Sequence, residues 1–425
     1  MNLWKRALMA IFCLSLIALL AALGWRIATR RAAPAPPPPT VTIAPTQTPS
    51  PLPPTPSPSA TPSATPSVTP TAEELAWRFY VPFTGSREAL GLPTPTPSPT
   101  LEPTPLPSPT PTPTLPWPAP LSQPSRSKLG LHVQWNNSPE IMEFVRRMLP
   151  AVIKPIGDLG FVAEVKEASP QTIIVARLMH PQPMEGDPEA LARAFVAQNL
   201  ATYLQHPAVH YWEGYNEPDV KGRMAWYARF EAERVRAMAD HGLRTAIGAF
   251  SAGVPEWEEF EAFLPAVRAA KEHGGILTLH EYDAPVMDRA VGAGLPGQPN
   301  HPERGALALR YRWWYEDFLI PRGLVIPLVI SEAGVDGLVT NRPGPANAHG
   351  WLDFGAYWAE SGLGGNPLEV YLPQLDWYDR ELQKDDYVIG WAVFTVGAMN
   401  PDWKSYDVTN YLRHIATRII VPNAR

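Results

Sequence analysis

A single cysteine, Cys13, occurs in 425 residues, so no disulfide within the chain can staple its fold. Charge is scarce as well. Asp, Glu, Lys and Arg make up 18% of the chain, the net charge is −6, and no basic stripe runs along any segment, which argues against a nucleic-acid partner. No glycine-rich phosphate turn follows the first apolar run, where Gln134-Trp135-Asn136-Asn137 stands instead, and there is no serine elbow or Cys/His pair. Phosphoryl and acyl transfer therefore lack their usual parts. His280-Glu281-Tyr282-Asp283 holds ligand-type residues, but neighbours on a strand alternate faces and cannot all converge on one ion. Neither a metal nor a cofactor is expected.

Proline is what the chain has in excess, with 53 residues, most of them between Pro34 and Pro124. This stretch repeats Thr-Pro, Ser-Pro and Pro-Pro and has almost no apolar residues, so it reads as a disordered, semi-rigid stalk over 34–124. At about 3.1 Å per residue it would reach roughly 200 Å or more when extended. An island at 72–92 breaks the pattern with Trp77, Phe79, Tyr80 and Phe83. Ahead of the stalk, Lys5-Arg6 precede an uncharged apolar run from Ala7 to Trp25 that is long enough to span a bilayer as one helix. Residues 1–33 thus read as an uncleaved transmembrane signal-anchor, with a cleaved signal peptide, and hence secretion, as the rival. The stalk suggests an extracytoplasmic, cell-surface location for the region C-terminal to it.

Beyond Ser125 short apolar runs alternate with amphipathic stretches. Eight strands are expected: Leu129–Trp135, Ala151–Ile156, Thr172–Leu178, Val209–Tyr215, Thr245–Ala249, Ile276–Tyr282, Leu324–Ile330 and Tyr387–Thr395. Helical stretches lie between them at Pro139–Met148, Pro188–Gln205, Met224–His241, Glu256–His273 and Leu307–Phe318. This order predicts an α/β fold, a (β/α)₈ TIM barrel over 125–425, in preference to a doubly wound open sheet.

Two glutamates close such runs. Glu217 follows Tyr211-Trp212-Glu213-Gly214-Tyr215-Asn216 and precedes Pro218; Glu332 follows Leu328-Val329-Ile330-Ser331 and precedes Ala333-Gly334. They would end strands four and seven, and strand ends on one face of a closed barrel are where such folds build their sites. Paired carboxylates there suit cleavage of a glycosidic bond. His280 and Tyr282 share a face of strand six by period-two alternation. By the same rule Glu213 enters the upper barrel and Glu281 faces the helices, both as structural groups. Arg177 and His180 end strand three, and His132 and Gln134 share a face of strand one; each could contact substrate or scaffold the mouth. Trp391 and Phe394 lie on opposite faces of strand eight, so at most one lines a cleft. Further aromatics follow strands seven and eight at Trp351, Phe354, Tyr357, Trp358, Trp403 and Tyr406, readable as sugar platforms or as ordinary packing.

The Trp-Glu-x-x-Asn-Glu-Pro of 212–218, His280-x-Tyr282 and the Ser-Glu-Ala-Gly of 331–334 resemble the clan A glycoside hydrolases, families 39 and 5 above all. The resemblance implies a retaining glycosidase with Glu217 as acid/base and Glu332 as nucleophile. It further implies Asn216 as partner of the sugar 2-hydroxyl, Tyr282 as hydrogen-bond partner of the nucleophile, and an aromatic of strand eight, Trp391 or Phe394, under the reacting sugar. Strand two departs from family 5: Val152-Ile153-Lys154-Pro155 lacks a strand-end arginine and offers Lys154. The expected partners are a carbohydrate substrate and, through the N-terminal helix, a membrane, with the catalytic domain monomeric. A carbohydrate-binding or structural surface protein on the same barrel is the alternative.

Overall fold

The computed structural model describes residues 115–424. The expected anchor, the 72–92 island and most of the stalk lie outside these residues; among the described ones no helix is long and apolar enough to cross a membrane.

Eight parallel strands close into a barrel in sequence order. They are β1 (Leu129–Val133), β2 (Val152–Pro155), β3 (Ile173–Ala176), β4 (Tyr211–Glu213), β5 (Thr245–Phe250), β6 (Ile276–Asp283), β7 (Leu328–Val335) and β8 (Val388–Val396). Parallel strands covered by helices are buried on both faces, which is why they read as near-continuous apolar runs. Outward residues such as Leu129, Leu131, Ile153, Ile174 and Trp212 join the main core beneath the helices. Inward residues Val152, Val175, Ala246, Ile276 and Val329 plug the barrel floor as a separate small core.

The helices begin where local chemistry satisfies their free N–H groups. Ser138 caps α1 (Pro139–Met148), with a proline in its first turn and Arg146 and Arg147 in its last. After α2 (Val162–Ala168), Asp187 caps α3 (Pro188–Gln205). Beyond α4 (Met224–Ala239), a reciprocal capping box of Glu256 and Glu259 opens α5 (Trp257–Glu272). The expected helix over 307–318 is shorter and irregular: α6 spans Tyr311–Trp314 and widens into a π turn at Tyr315–Leu319. Residues after β7 hold α7 (Gly355–Glu360) and α8 (Pro367–Leu382), the latter capped by Asn366.

Three expectations need correction. First, residues 115–124, assigned by composition to the stalk, pack on the barrel. Trp117 and Leu121 rest against the main core, with Trp117 6.4 Å from Phe144. The Leu121 N–H donates to the Arg147 carbonyl at 2.8 Å, and Arg413 donates to the Leu115 carbonyl at 3.0 Å while covering the Trp117 ring. Proline content reported the lack of regular structure correctly, but two apolar side chains suffice to dock the segment. Second, the seventh strand starts at Leu328 and runs through Glu332 to Val335, so Glu332 lies inside it. Third, β4 stops at Glu213, leaving Glu217 four residues beyond the strand in left-handed backbone at φ +46°.

Strand β1 passes close to β2: a Cβ on Gly130 would sit 1.8 Å from the Val152 carbonyl oxygen. No side chain fits there without parting the two strands. Gly130→Ala is expected to cost about 2 kcal/mol or more of unfolding free energy, read by urea denaturation of the full-length protein. A loss under about 0.5 kcal/mol would mean that the strands separate freely.

Candidate active site

Two bulges aim the carboxylates. Along β7, Val329 points into the barrel and Ile330 out, so strict alternation would turn Glu332 toward the helices. The register with β6 slips here, Ile330 facing Leu279 and Glu332 facing His280, so Ser331 is an extra residue. This β-bulge rotates Glu332 into the mouth. On β5 the register slips between Gly248 and Phe250, with Gly248 at φ +100° and Ala249 at φ +46°. The displaced Ala249 carbonyl accepts the Glu217 N–H at 2.9 Å, tethering that loop to the barrel rim.

Glu332 is buried in a ring of donors from β1, β2, β6 and the end of β3. Its Oε2 accepts the Tyr282 hydroxyl at 2.9 Å and lies 3.6 Å from His280 Nδ1. Its Oε1 faces His132 Nε2 at 3.4 Å, Arg177 at 3.6 Å and Lys154 Nζ at 3.8 Å. Lys154 is itself paired at 2.7 Å with Glu213, both side chains fully buried in the barrel. Burial alone would favour a neutral Glu332 carboxyl, but His280, His132 and Lys154 outweigh it and hold its pKa well below the ordinary range. Burial pushes the His132 pKa down to about 4, so this ring is neutral at pH 7. Its consistent tautomer accepts from the Thr395 hydroxyl at Nδ1, 2.8 Å away, and points Nε2–H at Glu332.

Glu217 has the opposite setting. Its side chain is 38% exposed, and its Oε1 lies 2.8 Å from His280 Nδ1. Glu217, His280 and Glu332 each offer an atom within 4.8 Å of the others, so the two carboxylates face each other across one imidazole edge. Such a trio has the makings of a cation site, yet Lys154 and Arg177 already supply positive charge on the Glu332 side.

The remaining expected residues divide cleanly. Asn216 is held by a backbone clamp from Gln182, whose Nε2 donates to the Asn216 carbonyl at 3.0 Å and whose Oε1 accepts its N–H. Asn216 lines a cavity of about 210 Å³ with Arg177, His180, Gln182 and Trp403. Phe394 enters the mouth beside Tyr282 and Tyr406. Trp391 does not: it is fully buried on the outer face, donating to Asp379 of α8 at 2.9 Å, and it cannot touch a substrate. Strand parity separates the two aromatics, but only the sheet's orientation says which one faces in.

Trp351, Phe354 and Trp358 are likewise buried, Trp351 stacking on Tyr371 at 4.8 Å, so the loop after β7 packs on itself. Trp403 and Tyr406 remain at the mouth. Gln182 escaped the sequence reading because it stands in an irregular loop without a motif. Asp336, one residue past β7, accepts the Tyr406 hydroxyl at 2.7 Å and was equally unsignalled.

No described protein family matches the sequence, and no curated protein resembles it. Solved structures do. An endo-1,4-β-D-mannanase from Thermotoga petrophila is 12% identical, the match covering 68% of this chain and 99% of that one with a TM-score of 0.38. A GH128 endo-β-1,3-glucanase from Pseudomonas viridiflava is 16% identical over 68% of this chain and 98% of its own, at 0.35. A family 51 α-L-arabinofuranosidase from Bifidobacterium longum is 13% identical over 70% and 74%, at 0.37. These likenesses are distant, and the chemistry of the site rests on this chain's own residues.

Glu281 faces the helices, as alternation required, accepting from Leu309 N–H at 2.7 Å, Tyr311 N–H at 2.9 Å and the Tyr378 hydroxyl at 2.7 Å. Burial pushes its pKa up to about 7 against the pull of these bonds. A carboxyl whose folded pKa exceeds its unfolded value binds its proton more tightly when folded. Its contribution to stability is therefore greatest below about pH 4.5 and falls as pH rises toward 7. Glu281→Gln should abolish this slope. Relative to the variant, the parent loses up to roughly 3 kcal/mol of unfolding free energy between pH 4.5 and 7, measured by urea denaturation across that window. A difference independent of pH would show that the carboxylate stays charged throughout.

Proposed function

We propose that the protein is a retaining glycoside hydrolase acting on a poly- or oligosaccharide. One observation carries this reading: a deeply buried carboxylate kept ionised by surrounding donors lies within 4.8 Å of a second, solvent-facing carboxylate at the C-terminal mouth of a closed barrel. A separation of this order leaves no room for a water between the Glu332 carboxylate and the sugar carbon, as single-step inversion would need. It suits a covalent intermediate, for which the carboxyl groups stand about 5–5.5 Å apart.

In the first step a Glu332 oxygen attacks the anomeric carbon and forms an ester bond. The glycosidic C–O bond breaks, and Glu217 gives its proton to the departing oxygen. In the second step Glu217, now a carboxylate, takes a proton from water as the water oxygen attacks the same carbon. The ester bond breaks, Glu332 is released as an anion, and two inversions give net retention. Tyr282, His132, Arg177 and Lys154 keep Glu332 ionised and aimed, while exposure to the cleft lets Glu217 exchange protons with leaving group and water. The resemblance supports Asn216 as the partner of the 2-hydroxyl, and Phe394 as the aromatic beneath the sugar fits its position in the mouth. Lys154, with its partner Glu213, serves in place of the strand-two arginine of family 5.

Outside the barrel we propose that residues 1–33 anchor the chain in a membrane and that the proline-rich segment holds the enzyme away from it on the extracytoplasmic side. Both parts of that reading rest on the sequence: an apolar run bounded by basic residues, then a segment too polar and proline-rich to fold.

The decisive experiment treats the full-length protein with a panel of activated 2-deoxy-2-fluoro-β-glycosides and maps the labelled peptide by mass spectrometry. An adduct on Glu332, absent from Glu332→Gln, is expected. If no sugar in the panel labels or is hydrolysed by the folded protein, it is a carbohydrate-binding protein on an enzyme's barrel. Glu217→Gln should lower kcat by about 10³-fold or more on substrates with poor leaving groups and by far less on dinitrophenyl glycosides, which depart without a proton. Equal losses on both would remove the acid role from Glu217.

The double variant Lys154→Met/Glu213→Gln removes the buried pair together and so strands neither charge. It should move the acid limb of kcat/KM upward, because Glu332 then protonates more readily. An unmoved limb would assign the low Glu332 pKa to the histidines and Arg177 alone.

A further inference from the structure

The segment that carries Asn216 and Glu217 leaves β4 at Glu213 and reaches Glu217 in left-handed backbone at φ +46°. A residue with a Cβ stays in that region only where neighbouring bonds hold it. Two bonds hold the peptide that joins Asn216 to Glu217. Its N–H, on Glu217, donates to the Ala249 carbonyl at 2.9 Å, and its C=O, on Asn216, accepts from Gln182 Nε2 at 3.0 Å. The peptide before Asn216 is bound as well, because Gln182 Oε1 accepts the Asn216 N–H. One side-chain amide thus pairs with both main-chain groups of Asn216, as a neighbouring strand would, and restrains its φ and ψ. Those two angles set the direction of the Asn216 side chain and the entry of the chain into Glu217. Asn216 Oδ1 is buried without a hydrogen-bond partner among the described residues, so no bond at that atom aims the side chain.

Gln182 is open to solvent, where water competes for an amide. The loop around it is fastened all the same. The hydroxyl of Tyr215, a residue only 2% exposed, donates to the Pro183 carbonyl at 2.9 Å. The residue after Gln182 is therefore tied to the residue before Asn216. Trp226 Nε1 adds a bond to the Gly186 carbonyl at 2.8 Å. The Tyr215 ring packs on Phe195 of α3 and Phe230 of α4, with centroids 5.8 and 4.5 Å away. Held in this way, the amide has little freedom left to lose when it pairs with Asn216.

We propose that Gln182 is a positioning residue for the acid step, its amide fixing the backbone of Asn216 and through it the aim of Glu217. The inference rests on the proposed glycosidase reading. A general acid has to meet the leaving oxygen at hydrogen-bond distance, so a small displacement slows proton transfer without removing the carboxyl. Glu332 is held by groups on other strands and keeps its place when Gln182 is changed. A loss confined to substrates that need the proton follows from positioning, whereas loosening of the whole mouth would slow every substrate alike.

The test compares the full-length protein with Gln182→Ala and Gln182→Glu. Gln182→Ala should lower kcat/KM about tenfold or more on aryl glycosides with poor leaving groups and less than about twofold on dinitrophenyl glycosides, with thermal melting unchanged. Gln182→Glu keeps the shape and the acceptor but sets a carboxylate oxygen against the Asn216 carbonyl. Its deficit relative to the parent should shrink about threefold or more as falling pH protonates the introduced carboxyl, whose O–H then donates to that carbonyl. Equal losses on both classes of leaving group, no loss, or a Gln182→Glu deficit independent of pH overturns the positioning role. Amide hydrogen exchange reads the clamp without a substrate: the peptide spanning 211–218 should exchange about tenfold faster in Gln182→Ala. Unchanged exchange overturns the clamp whatever the kinetics, and leaves the glycosidase reading standing if the parent hydrolyses glycosides. Faster exchange beside a parent that hydrolyses none keeps the clamp and removes the glycosidase reading, with the acid step it would serve.

Discussion

The site is organised around keeping one carboxylate charged inside a protein. An ionised carboxyl without water is costly by several kcal/mol unless charges and donors replace its hydration. Around Glu332 they come from β1, β2, β3 and β6, so four of the eight strands are committed to a single anion. Lys154 could not stand in that interior alone, and Glu213 accompanies it. The pair makes the barrel's middle layer polar while the floor beneath it, from Val152 to Val329, stays dry and apolar. Glu217 depends on none of this. It sits on a loop at the rim, fastened by one backbone bond to β5 and one contact to His280.

The proposed division of a reaction between two identical side chains rests on that contrast. One is fixed in a preorganised field where losing its charge is unfavourable; the other is free to exchange protons with whatever fills the cleft. His280 touches both, at 2.8 Å and 3.6 Å, and so couples the two ends of the pair.

Much of the fold was legible because parallel strands and capped helices write plain signals. Eight apolar runs became eight strands, and Pro139–Met148 and Pro188–Gln205 appear with the same bounds, each announced by a capping side chain and a proline. What sequence could not carry was local departure from regularity. Alternation along Val329-Ile330-Ser331-Glu332 points Glu332 the wrong way, and only the bulge at Ser331 corrects it. Period two places Trp391 and Phe394 on opposite faces without saying which face is inside. The docking of 115–124 was hidden by proline, which signals irregular backbone but not whether that backbone is free. Gln182 and Asp336 were invisible because loop residues acquire their meaning from what the fold brings beside them.

The strap from Leu115 to Leu121 has a mechanical consequence. It runs alongside α1, with Leu115 bound through Arg413, whose guanidinium also grips Glu140 near the start of that helix, and Leu121 bound to Arg147 at its end. Any pull arriving from upstream meets these bonds and the Trp117 contact before it reaches β1 at Leu129. They act in the manner of strain relief on a cable: tension is spread along the outer surface of a helix, and the strand that carries His132 to Glu332 is spared the tug.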